Sequence, residues 1–164
     1  MRRIAYTVAA LGVLTLGACA TAPVTTDSPS SGAPAPVSGL DWRLTQDGGE
    51  AKLAFGSEAS DDLELAFECA AGASRVAIMA PGIAGERELH LESGGDTERY
   101  RAEAEPLGVR DGVFLTTETG AKEPVLQRFR TLGWIARWRG QTREVYTAHP
   151  ATTPDIDRFF ATCG

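Results

Sequence analysis

Imidazole and thiol are scarce in this chain of 164 residues, which has two histidines and three cysteines. Nucleophilic catalysis needs a hydroxyl or thiol beside a base, and a structural zinc needs four nitrogen or sulfur ligands at suitable spacing. Neither a G-x-S-x-G turn nor an H-E-x-x-H helix motif occurs. Lysine is nearly absent, with two against fourteen arginines. A GC-rich genome produces that bias through codon usage, so no guanidinium chemistry follows from it. Positive charge is in deficit at a net −6, which excludes a chain built as a whole to bind nucleic acid. The apolar run near the start covers only residues 4–18, short of the ~20 residues that span a bilayer. What remains is ordinary: 43% hydrophobic and 23% charged residues, as in a globular domain. The length allows one domain.

Arg2 and Arg3 precede the uncharged stretch IAYTVAALGVLTLGA. A positive start followed by an apolar segment of this size is a secretory signal. The stretch ends in Leu16-Gly17-Ala18-Cys19. This tetrad resembles the lipobox of bacterial lipoproteins, an aliphatic residue and two small ones before a cysteine. The resemblance covers residues 1–19 alone. It implies a diacylglyceryl group on the Cys19 thiol, cleavage before that residue, and acylation of the new N-terminus. Two or more acyl chains make such an anchor stable. Ala20, rather than aspartate, implies sorting to the outer membrane, facing the periplasm.

The segment 20–38, ATAPVTTDSPSSGAPAPVS, has four prolines and no aromatic residue. It cannot bury enough apolar surface to offset its ordering entropy and reads as a disordered tether, 19–39 with the lipidated cysteine. At ~5–6 Å × √n it holds the folded domain roughly 25 Å from the lipid.

Residues 40–164 alternate apolar and polar side chains between glycine-rich turns, a strand signature. A turn at Gly48-Gly49 pairs Leu44 with Leu53 and Trp42 with Phe55. A turn at Gly94-Gly95 pairs Glu92 with Thr97, Leu89 with Tyr100 and Glu88 with Arg101. A third, at Gly140-Gln141, pairs Arg137 with Glu144 and sets Trp138 opposite Arg143, where a cation–π contact can form. Further strands are expected over 63–69, over 74–80 with Pro81-Gly82 ending it, and over 113–117. Between them, EPVLQRFRTLG has helical spacing, with Pro124 at its first turn and Gly133 at its stop. A last helix places Ile156, Phe159, Phe160 and Cys163 on one face behind Pro154. The expected fold is mainly β, an antiparallel β-sandwich or partly open barrel built of hairpins. One helix crosses between hairpins and a short helix ends the chain.

Cys69 falls on the inward face of its strand and Cys163 on the buried face of the last helix. Export would place both in an oxidising compartment. The expected Cys69–Cys163 bridge closes a long loop and contributes ~4–5 kcal/mol by loop entropy. Two separately buried thiols are the alternative. No metal and no cofactor is expected.

His90 lies between Glu88 and Glu92 on an outward strand face, and His149 precedes Pro150 at a strand end. Both read as ordinary surface or loop residues. Asp61-Asp62 starts a strand, and Asp155 with Asp157 complements a helix dipole more simply than either forms a glycosidase pair. Charge is uneven: residues 40–120 carry 17 acidic and 7 basic side chains, whereas 121–164 carry 4 and 7. Arg128, Arg130, Arg137, Arg139 and Arg143 form a candidate anion-binding patch, or a solvated rim with Arg137 paired to Glu144. Trp134 and Trp138 share a strand face, to be packed in a core or to line a ligand.

The expected function is a membrane-anchored, non-catalytic binding module of the cell envelope. Its partner would be an envelope protein or an anionic lipid or glycan, with no nucleic acid. A small envelope hydrolase with an unrecognised site is the alternative, as is a structural accessory of an outer-membrane complex. Ser93-Gly94 with Tyr100 is distantly similar to the S-G-x-x-Y region of membrane-bound lysozyme inhibitors. The spacing departs from that pattern and the two helices are additional; the resemblance would imply lysozyme inhibition.

Overall fold

The structure is a computed structural model that describes residues 33–58, 63–108 and 111–164. Cys19, the signal segment and the Asp61-Asp62 pair lie outside the described residues. The element order is β1 (Leu40–Asp47), β2 (Glu50–Ser57), β3 (Leu63–Ala70), β4 (Arg75–Gly82), β5 (Glu88–Ser93), β6 (Asp96–Arg101), β7 (Glu103–Pro106), β8 (Val113–Gly120), α1 (Pro124–Leu132), β9 (Trp134–Arg139), β10 (Thr142–Thr147) and α2 (Thr153–Cys163). Two antiparallel sheets result, one ordered β1-β2-β3-β4-β8-β7 and one ordered β10-β9-β5-β6. This is a β-sandwich with two helices, not a closed barrel.

The hairpin registers follow from their turns. Gly48-Gly49 and Gly94-Gly95 have φ of 58° and 89°, and 56° and 89°. Positive φ at both turn residues matches the twist of the flanking strands and fixes a two-residue loop. Leu44 therefore faces Leu53, and Trp42 faces Phe55. Glu88 pairs with Arg101 and Leu89 with Tyr100. In the third hairpin Arg137 pairs with Glu144 and Trp138 with Arg143 along the backbone.

Alternation then builds the core. Trp42 is fully buried, with Phe55, Phe67 and Phe129 at 5.3, 5.6 and 4.8 Å between ring centroids. Its indole Nε1 donates to the Tyr146 carbonyl at 3.3 Å, which ties the β1 edge of one sheet to the β10 edge of the other. On the opposite side the chain runs from β6 into β7 through Ala102, whose N–H donates to Arg87 O at 2.8 Å. Helix α2 lies against β1, β2 and β3, and α1 against β5 and β6. Cys69 and Cys163 are joined, with Cα atoms 5.6 Å apart. The turn after β3 also holds the chain end by backbone bonds, Gly72 N to Thr162 O and Ser74 N to Cys163 O, both 2.8 Å.

Two elements depart from expectation. Strand β4 runs on through Pro81-Gly82. Strand β3 pairs with β4 only over Ala77–Met79, so at Pro81 the ladder continues only on the β8 side, and a missing N–H costs nothing on the other. Strand β7, EAEP, is an additional edge strand with two carboxylates and a proline, a composition that blunts an edge. In addition, residues 33–37, read from sequence as part of the tether, lie on the domain as an irregular strap with Pro34 and Pro36 half-buried, and a turn at 38–39 leads into β1.

Candidate functional site

The register gives the four-stranded sheet two unlike faces. Leu89, Leu91, Tyr100, Ile135 and Tyr146 belong to the main core. Trp134, Ala136 and Trp138 alternate with them and stand on the outer face, as do His90, Glu92 and Arg143. Trp134 is nonetheless 4% exposed. The Arg143 guanidinium covers it, 5.2 Å from its ring centroid and 6.0 Å from that of Trp138. Arg143 forks onto Glu92 with two bonds of 2.9 Å, and Trp138 Nε1 donates to the same carboxylate at 2.7 Å. The His90 ring lies against Trp138 at 6.3 Å. The Arg143 hydrogen bond is the main cause that holds the Glu92 carboxyl below its ordinary pKa, against the opposing effect of burial. Desolvation, helped by Arg99, lowers the His90 pKa despite Glu88 and Glu92 nearby. The result is a rigid polar–aromatic ladder on a sheet face. The two tryptophans are thus neither part of the main core nor bare ligand platforms.

The five arginines singled out from sequence do not share one open surface. Arg128 pairs with Asp96 and Arg130 with Asp157, at 2.8 and 2.6 Å. Arg139 pairs with Glu144, and Arg143 with Glu92. Arg137 corrects the expected pairing most clearly. Its backbone faces Glu144, yet its side chain, 1% exposed, points between the sheets to Glu86, at 2.8 Å. It also donates to Pro81 O at 2.6 Å. The second Glu86 oxygen accepts the Ile83 N–H at 3.0 Å, so one carboxylate closes its own turn and neutralises the buried guanidinium. Gly82 makes the room: a Cβ there would stand 2.9 Å from that Glu86 oxygen. Glu86 sits in a loop without periodicity, 51 residues from its partner, so no sequence pattern marks it.

The remaining candidates have structural engagements. His149 Nε2 donates to the Val37 carbonyl at 3.2 Å, and its backbone N–H bonds Asp41 Oδ1 at 3.1 Å. That same oxygen accepts Thr152 Oγ1 at 2.7 Å, ahead of α2. His149, Asp41 and Thr152 border an open cavity of about 550 Å³. There Asp41 holds a hydroxyl and a backbone N–H rather than the imidazole, so the three do not form a proton relay. Ser93 is fully buried, its hydroxyl donating to Trp134 O at 2.7 Å. Tyr100 faces the core and is buried as well. Asp155 engages Arg158, and Asp157 engages Arg130, on the surface of α2. Among the described residues no cluster of three or more histidine, cysteine or carboxylate side chains could hold a metal ion.

At the upper end of the ladder, Thr147 pairs with Trp134 across β10 and β9. Thr147 Oγ1 and Trp134 Nε1 are both buried and have no hydrogen-bond partner. Thr147 borders an open depression of about 360 Å³, lined also by Ala33–Pro36, Leu132, Gly133, Ala148, Pro150 and Thr153. No sequence pattern marks this depression, because it exists only once the hairpin, both helices and residues 33–36 have met.

No known protein family, curated protein or solved structure matches this chain.

Proposed function

We propose that the protein is a lipid-anchored lipoprotein of the cell envelope acting as a non-catalytic binding module. The observation that carries this reading is the pairing of two features far apart in the chain. Leu16-Gly17-Ala18-Cys19 has the lipobox pattern, and Cys69 and Cys163 form a disulfide that suits an oxidising compartment. Both imidazoles are committed to structural contacts, which favours binding over hydrolysis. The anchor holds the domain to the outer membrane on its periplasmic side. The partner is an envelope protein or an anionic lipid or glycan. An anionic partner has to exchange with the carboxylates that already engage Arg128, Arg130, Arg139 and Arg143.

The test is detergent phase partitioning of the protein expressed with its own leader. The native chain is expected in the detergent phase and Cys19→Ala in the aqueous phase. Native protein that stays aqueous contradicts the anchor.

A further inference from the structure

We propose that the outer face of the six-stranded sheet is the docking surface for a basic protein partner, one whose apolar contact is ringed by lysine or arginine.

The register puts apolar residues where water-facing ones belong. Leu53, Phe67, Ile78 and Leu115 belong to the core, so their alternates on β2, β3, β4 and β8 point the other way. One register row crosses all six strands as Arg43, Ala54, Ala66, Met79, Thr116 and Glu103. The neighbouring rows bring in Ala77, opposite Glu118, and Phe114, opposite Glu105. An antiparallel sheet with one face in water carries polar side chains on that face. Here the middle of the face is apolar. Ala66 is fully buried among its neighbours, and Ala54, Ala77, Met79 and Phe114 are half-buried. The buried residues of both helices belong to the core on the other side, so among the described residues no helix covers this face. An apolar patch rimmed by polar residues marks an interaction site.

The rim selects the occupant. Lys52 pairs with Glu68 and Arg75 with Glu118, at 2.7 and 2.8 Å, so these four side chains add no net charge. Asp47 and Glu50 at the β1–β2 turn and Glu103 and Glu105 on β7 are exposed and have no ion pair among the described residues. Arg43, on β1, is turned to the Ser57 carbonyl at 2.6 Å. The margin is therefore acidic, as is the whole of residues 40–120, with 17 acidic and 7 basic side chains. On the same face lies an open depression of about 500 Å³, lined by both ion pairs, by Asp47 and Glu50, and by Ala70, Ala73 and Ala77. A long basic side chain suits that lining, with alanine for its stem and carboxylate for its head. A second copy of this chain does not fit, because a two-fold dimer sets the patch against itself and the acidic margins against each other. An anionic lipid surface meets the same repulsion.

This inference rests on the binding-module reading and deepens it by giving the partner's chemistry. Its readout does not depend on lipid at Cys19, so the detergent partitioning and the docking test can fail separately. The probe is p-benzoylphenylalanine placed at Met79, and in a second variant at Thr116, in the full chain expressed with its own leader and irradiated in native cells. Both positions are expected to give a discrete adduct with a second protein, through a positively charged segment of that protein. The same probe at Arg99, on the outer face of the other sheet, is expected to give no adduct of that mass. Glu103→Lys with Glu105→Lys leaves the core untouched and is expected to lower the adduct yield about fivefold or more. The proposal is overturned if neither Met79 nor Thr116 gives an adduct, or if the adduct is a dimer of this chain or a lipid. It is equally overturned if the Arg99 position gives the same adduct, or if the charge reversal leaves the yield unchanged.

Discussion

The buried ion pair between the sheets yields the sharpest energetic prediction. Arg137 is 1% exposed and Glu86 15%, and their 2.8 Å contact is backed by the Arg137–Pro81 and Ile83–Glu86 bonds. Removing one partner of a buried pair strands the other charge, which costs ~3–5 kcal/mol. Arg137 is the deeper partner and cannot turn to water, so Glu86→Ala should sit at the upper end of that range. Glu86 lies nearer the surface and can rotate outward, so Arg137→Met should cost less, ~1–3 kcal/mol. The pair replaced together, Arg137→Met with Glu86→Leu, should lie within ~1–2 kcal/mol of the native protein, because no charge is then buried. For a domain of this size ~4 kcal/mol corresponds to roughly 10–20 °C in melting temperature. Urea unfolding followed by tryptophan fluorescence, with the disulfide intact, gives all three values and their coupling. A Glu86→Ala cost below ~1 kcal/mol, or a double variant weaker than Glu86→Ala alone, refutes the assignment of Glu86 as counter-charge.

Three further outcomes follow from the same structure. The disulfide closes a separation of 94 residues, so Cys69→Ser with Cys163→Ser should lower stability by up to ~4.7 kcal/mol; denaturant curves in which the oxidised and cysteine-free proteins coincide would contradict this. Glu92 has a lowered carboxyl pKa in the folded state, so its contribution is present above the ordinary glutamate value of about 4.3 and is lost as pH falls through the lowered one. The stability gap between native protein and Glu92→Gln should therefore hold from neutral to mildly acid pH and close below that value; a gap that widens in acid has the wrong sign. Gly112 has φ of 124°, and a Cβ there would stand 2.7 Å from the Gly82 carbonyl oxygen, so Gly112→Ala should cost ~2 kcal/mol or more, with an unchanged melting temperature as the contrary result.

What the sequence disclosed and what it withheld divide along a physical line. Local rules carried the hairpins: two glycines admit positive φ, the loop is then two residues long, and the register of Trp42 with Phe55 or Glu88 with Arg101 has no freedom left. Face alternation placed Cys69 and the spacing of α2 placed Cys163, so the disulfide was legible as well. Strand β7 was not, because four residues with two carboxylates and a proline show no period. The outward placement of Trp134 and Trp138 was hidden for a different reason. Alternation assigns residues to two faces but does not say which face is covered, and here the buried arginine lies on the core side. Arg137 and Glu86 meet across the sheets, and the depression beside residues 33–36 assembles from four separate segments. Contacts of that kind leave no spacing in the chain to read.

The central claim is that this domain works outside the cytoplasm on a lipid anchor. Intact mass of the protein purified from native membranes without reductant, with peptide mapping, tests it directly. The account predicts a chain beginning at Cys19, a lipid adduct on that residue, and Cys69 joined to Cys163. An unmodified Cys19 or free thiols at 69 and 163 in a soluble fraction would contradict it.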